Sequence, residues 1–81
     1  MTFKQLIAKR TRRLLKSRNW TQYKLAQMSA IPFSTLSYTL NHKGISVTSE
    51  TLLNICRGLD ITLAEFFDDN LFSFENIDDN E

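Results

Sequence analysis

Apolar residues along this 81-residue chain recur at steps of three and four rather than two, and glycine, proline and valine are scarce. That period is helical, and it predicts an all-α chain of five helices. The first spans residues 3–17 and buries Phe3, Ile7, Thr11, Leu14 and Leu15, leaving its basic residues on the other faces. Asn19 suits its exit, because asparagine tolerates left-handed backbone after a helix end. Thr21 is a good N-cap for a second helix reaching about Met28. A break at Ser29, Ala30 and Ile31 precedes a third helix over residues 32–40. Pro32 opens it, where the fixed φ and missing N–H are harmless. Its polar side carries Ser34, Thr35, Ser37 and Tyr38. Residues 41–47 read as a loop. Thr48 then caps a fourth helix over residues 49–59, with Glu50 in the first turn, where the helix dipole favours a carboxylate. Leu52, Leu53, Ile55, Cys56 and Leu59 face inward from it. Thr62 and Glu65 form a capping box for a fifth helix bearing Leu63, Phe66 and Phe67.

Residues 1–69 therefore read as one small domain, and residues 70–81 as an acidic tail interrupted by Leu71, Phe72, Phe74 and Ile77. A fully disordered tail has no reason to expose such residues. They are expected to be ordered, either on an edge of the core or in a dimer contact.

The tight break between the second and third helices makes a helix-turn-helix, whose second member can lie in a DNA major groove. Charge points the same way. Residues 1–49 hold nine lysines and arginines and no acid, whereas residues 50–81 hold all nine acids against Arg57 alone. The net charge of +1 conceals that dipole. The arginine-rich opening also resembles an organelle-targeting presequence, but it runs without a spacer into Trp20, and its apolar positions suit a packed helix. Cys56 is the only cysteine, which excludes an intrachain disulfide or a cysteine zinc cluster. Its apolar neighbours imply a buried, reduced thiol, as in a cytosolic protein. No apolar run approaches the length of a membrane span. His42, the only histidine, has no carboxylate or nucleophile at a suggestive spacing, and the tail acids do not form a calcium loop. No catalytic, metal or cofactor site and no small-molecule ligand is expected.

On Trp20–Thr21–Gln22, Leu25–Ala26, Ser34–Thr35–Leu36–Ser37, Glu50–Thr51–Leu52–Leu53–Asn54–Ile55 and Leu63–Ala64–Glu65–Phe66–Phe67, the chain resembles the phage repressor and Cro-type helix-turn-helix family. These are also known as the xenobiotic-response-element family of transcriptional regulators. The resemblance runs from about Ile7 to Asp69. It implies a five-helix, lambda-repressor-like DNA-binding domain with its helix-turn-helix at helices two and three. Relatives frequently carry glycine at the positions of Asn19, Ala30, His42 and Asp60. If φ is positive at Ala30, its Cβ makes that turn cost about 1 kcal/mol or more. Relatives also often place a buried arginine–glutamate pair at the positions of Leu15 and Leu40. Two leucines there avoid the desolvation cost of such a pair, and their joint presence predicts contact between helices one and three.

The resemblance carries base reading to Phe33, Ser34, Ser37 and Tyr38. This helix lacks the bidentate Arg, Lys, Asn and Gln that discriminate best, at least before Asn41. Phe33 suits thymine methyl groups, though packing against the second helix or a dimer partner suits it too. Ser34 and Tyr38 can each make a single hydrogen bond, and Tyr38 also reads as an ordinary exposed tyrosine. Modest, A·T-leaning direct readout with more reliance on DNA shape is the expectation. Phosphate contacts are expected from Gln22, Lys24, Asn41 and Lys43, around a helix N-terminus and a loop that would meet the backbone. The helix-one cluster Lys9, Arg10, Arg12, Arg13 and Lys16 fits phosphate contact and a solvated, attracting face equally well. The partners implied are double-stranded DNA and a second copy of the chain, in a bacterial or phage-infected cytoplasm. Two rival roles stay open on the same fold: an antitoxin of a toxin–antitoxin pair, and a protein-interaction module that has lost DNA.

Overall fold

Four threonines start four of the five helices. Thr2 Oγ1 accepts the Gln5 backbone N–H at 3.2 Å while Gln5 Oε1 accepts that of Thr2 at 2.9 Å, a reciprocal cap. It opens α1 (Phe3–Arg18) in the computed structural model, which describes residues 1–41 and 47–78. Thr21, Thr48 and Thr62 use their hydroxyls in the same way to open α2 (Gln22–Ser29), α4 (Ser49–Leu59) and α5 (Leu63–Phe67). Thr62 and Glu65 close the expected capping box. α3 (Phe33–Asn41) begins one residue later than the pattern suggests. Pro32 stands just outside it, and its carbonyl accepts the Leu36 N–H at 3.0 Å. α3 also ends one residue later, because Asn41 is still helical rather than the first residue of a loop. Two short 3-10 turns follow α5, Asn70–Phe72 and Phe74–Asn76. The expected loop over residues 42–46 lies outside the described residues, and with it Lys43 and His42.

Three helices stop on left-handed residues: Asn19 at φ 58°, Ala30 at 57° and Asp60 at 56°. Asparagine and aspartate accept that conformation readily, whereas alanine pays about 1–2 kcal/mol for its Cβ. The Ala30 N–H still reaches the Ala26 carbonyl, and the Ile31 N–H joins the same oxygen at 3.2 Å. These bonds hold the turn between α2 and α3 tight despite the strain.

The core is built from Ile7 and Leu15 of α1, Leu25 of α2, Leu36 and Leu40 of α3, Ile55 and Leu59 of α4, and Phe66 of α5. Leu15 and Leu40 are both buried in it, on the two helices that meet there. α2 lies especially close to α4. A Cβ built at Gly58 would come within 2.8 Å of Ser29 Cβ and 2.9 Å of its Cα, so only glycine permits this approach. Thr11 and Ser29 are buried but donate to carbonyls four residues back, of Ile7 at 2.9 Å and Leu25 at 2.6 Å. Among the described residues no buried side-chain nitrogen or oxygen lacks a partner.

Four expected core positions differ. Phe3 and Leu53 are exposed, and Leu14 and Leu52 only half-buried; Leu63 of α5 is exposed as well. Leu53 and Leu63 sit on the outer sides of α4 and α5, where no further layer covers them. Phe3 is 39 % exposed because it lies at the rim, yet its ring meets Phe67 at 6.1 Å and Phe72 at 6.0 Å. Phe72 comes from the tail. It sits 4.8 Å from the Phe67 ring, and Leu71 beside it is buried against the domain. The tail also meets the N-terminus: the Asp78 carboxylate pairs with the Met1 amine at 2.9 Å. Phe74 behaves otherwise. It is 92 % exposed, because the second 3-10 turn directs it away from the domain.

Candidate nucleic-acid interface

Leu36 and Leu40, one turn apart, fix α3 to the core and so decide which of its faces is exposed. The opposite face presents Phe33, Ser34 and Tyr38, with Ser37 half-buried between them. Phe33 is 45 % and Tyr38 50 % exposed, large values for aromatic rings on a folded domain. Phe33 also meets Tyr23 of α2 at 5.9 Å between ring centroids. One edge of the Phe33 ring therefore rests on α2, and the remainder faces solvent. Tyr23 is itself 59 % exposed, and the pair extends the aromatic surface beyond α3. Sequence reasoning passed over Tyr23. Its signal was its place in the first turn of α2, beside the helix N-terminus.

That N-terminus supplies the polar half of the surface. Thr21 Oγ1 satisfies the Lys24 N–H at 3.1 Å, leaving the first N–H groups of α2 directed outward, where an anion is favoured. Gln22 is half-buried beside them. Lys24 is exposed, and its Nζ lies 5.6 Å from the Trp20 ring centroid, with the Arg18 guanidinium 5.3 Å from the same ring. Trp20 thus gathers two cations at this edge. Gln22, Lys24, Phe33, Ser34, Ser37, Tyr38 and Asn41 all belong to α2 and α3. Lys43 lies outside the described residues.

The basic face of α1 divides. Arg10 donates from Nε to the Phe66 carbonyl at 2.7 Å and from Nη2 to the Glu65 carbonyl at 2.9 Å, and its Nη1 meets Asp69 at 3.3 Å. It therefore closes the end of α5 instead of projecting. Arg12 does the same for α3, donating from Nη2 to the Leu40 carbonyl and, at 2.7 Å, to Asn41 Oδ1. A cation suits the negative end of a helix dipole in both places. Arg13 leans on Asp69 at 3.6 Å but is half exposed, and Lys16 is exposed.

Among the described residues no three His, Cys, Asp or Glu side chains stand close enough to hold a metal ion. A cleft of about 310 Å³ lies between α1 and the tail, lined by Met1, Leu6, Lys9, Arg13, Asn70 and Leu71 among others, and no residue of α2 or α3 borders it. Burial raises the Cys56 thiol above its ordinary pKa by desolvation, which keeps it protonated and unreactive.

A family model for the Cro/C1-type helix-turn-helix DNA-binding domain matches residues 10–71. The chain belongs to that family. Neither a curated protein nor a solved structure matches it. As a Cro/C1-type domain it is a DNA-binding helix-turn-helix protein of the xenobiotic-response-element class, with α2 and α3 as the motif. The matched span covers every element from the middle of α1 to the first 3-10 turn, including tail residues Asn70 and Leu71. No described helix is long and apolar enough to cross a membrane.

Proposed function

We propose that this Cro/C1-type domain is a small sequence-specific transcriptional repressor of a bacterial or phage cytoplasm, and not an enzyme. It binds as a homodimer to a palindromic operator, inserts α3 of each copy into successive major grooves, and occludes polymerase. The observation that carries the reading is the exposed face of α3. Its inner face is fixed by Leu36 and Leu40, while Phe33, Ser34, Ser37 and Tyr38 are presented beside the open N-terminus of α2.

In this reading Gln22 and Lys24 meet phosphate at the start of α2, and Asn41, the last residue of α3, and Lys43 after it meet phosphate at the other end. These contacts set position and not sequence. Phe33 touches thymine methyls, while Ser34, Ser37 and Tyr38 make single hydrogen bonds to base edges. With no bidentate reader on α3, sequence preference comes in good part from DNA shape, and dimerisation supplies the affinity one helix lacks.

Selection of bound fragments from random duplex DNA at two salt concentrations tests this. The expected product is a pair of related half-sites about 10–10.5 base pairs apart, or a multiple of that. An absence of enrichment at low salt contradicts the reading. The antitoxin alternative has one observation in its favour: Phe74, 92 % exposed and followed by Glu75, is an anchor suited to a partner protein. Co-purification of a small partner that is lost on Phe74→Ala supports that second role.

A further inference from the structure

Arg12, Asn41 and Ser37 form a relay whose polarity is forced. A guanidinium only donates hydrogen bonds. Asn41 must therefore turn Oδ1 toward Arg12, at 2.7 Å, and Nδ2 toward Ser37. Ser37 Oγ accepts that amide at 3.1 Å. Buried Thr11 and Ser29 return their hydroxyl hydrogens to carbonyls of their own helices. Ser37 does not: among the described residues its Oγ accepts from Asn41 and donates to no protein atom. Its hydroxyl hydrogen is left for a group outside the domain. It sits on the same side of α3 as Phe33, Ser34 and Tyr38.

We propose that Arg12 is a positioning residue for the DNA surface: through Asn41 it sets Ser37 as a hydrogen-bond donor toward an acceptor atom on DNA. This rests on the DNA-binding reading above. The acceptors available in a major groove are guanine O6 and N7, adenine N7 and thymine O4, with phosphate oxygens at its edge. The exocyclic amines of adenine and cytosine donate, so Ser37 disfavours them. In this arrangement Arg12 spends Nη2 on the end of α3. It acts by holding the end of α3 and the orientation of one amide, and Asn41 keeps its second Nδ2 hydrogen for a phosphate.

The test uses the full chain and selection from random duplex DNA, comparing wild type with Ser37→Ala, Asn41→Asp, Arg12→Met and Arg12→Lys. Ser37→Ala is expected to weaken preference for an acceptor-bearing base at one position by about three- to tenfold, the worth of one hydrogen bond. If the acceptor is phosphate, the same factor is lost on every sequence instead. Asn41→Asp places an acceptor where Nδ2 stood, so the Ser37 hydroxyl turns inward and offers its lone pairs outward. Preference at that base is then expected to move to the adenine or cytosine amine. Arg12→Met is expected to reduce the preference as Ser37→Ala does. Arg12→Lys is expected to restore it, because an ammonium can donate to the same two oxygens. Ser37→Ala and Asn41→Asp change no core side chain and decide the matter if Arg12→Met does not fold. Wild-type binding with Ser37→Ala within twofold on all sequences overturns this proposal alone. Failure of the wild type to bind any DNA overturns it together with the DNA reading.

Discussion

Leu15 and Leu40 illustrate what single residues contribute to this domain. Two leucines stand where relatives often bury an ion pair, and both are buried where α1 meets α3. An apolar pair of this kind has no desolvation to offset, so it holds α3 in place without needing charge geometry. Leu40→Ala is expected to cost about 2–5 kcal/mol of unfolding free energy, measured by urea denaturation. A loss below about 1 kcal/mol contradicts the packing described. Cys56 gives a second residue-scale test. Desolvation raises its thiol pKa, so the folded state favours the protonated form and the unfolded state ionises first, near the ordinary value of 9.0. Stability from this site is complete below that pH and falls as pH rises through it. In native protein at pH 8 a thiol reagent is expected to react only as fast as the domain unfolds. Rapid labelling contradicts the burial.

The helices themselves were largely legible in the sequence, because threonine caps and three-to-four spacing are local signals. Thr21, Thr48 and Thr62 mark their helices one residue before each begins. The left-handed exits at Asn19 and Asp60 are local too, and Ala30 follows from the tightness of the turn it closes. What the sequence did not disclose depends on contacts distant along the chain. Arg10 and Arg12 look alike as members of a basic stripe, yet each closes a helix end far from it, α5 and α3 respectively. Nothing within α1 tells such an arginine from a solvated one. The approach of α2 to α4 was equally hidden, although a glycine inside a helical pattern was its one mark. Gly58→Ala is expected to destabilise the domain by about 1–3 kcal/mol despite alanine's better helix propensity, because its Cβ would overlap Ser29. Thermal unfolding measures it, and a raised midpoint contradicts the close approach. Since Ser29 ends α2, the same substitution is expected to weaken DNA binding.

At the scale of the whole molecule, the domain and its tail form one packed body. Leu71 is buried and Phe72 joins the cluster of Phe3, Phe66 and Phe67. Truncation after Asp69 removes both, at roughly 1.5–3 kcal/mol for each side chain fully buried, and less for half-buried Phe72. A truncated chain is expected to unfold at lower urea. An unchanged midpoint contradicts the packing of Leu71. Phe74 tests a different property, since it stabilises nothing in its own chain. Phe74→Ala is expected to leave the unfolding midpoint in place while weakening self-association in sedimentation. The charge division also belongs to this scale. The acid-free stretch of residues 1–49 contains α1, α2 and α3, so the helix-turn-helix lies in the positive part of the sequence. Attraction to DNA then falls steeply with salt.

In the proposed function the exposed face of α3 reads a major groove. Methylation protection of guanine N7, on DNA enriched by the protein, measures groove occupancy directly. Protected guanines are expected in two major-groove segments about one helical turn apart on one face of the duplex, with protection lost in Tyr38→Ala at the base pairs that Tyr38 meets. Bound DNA whose guanines all stay reactive, or protection that Tyr38→Ala leaves unchanged everywhere, contradicts it.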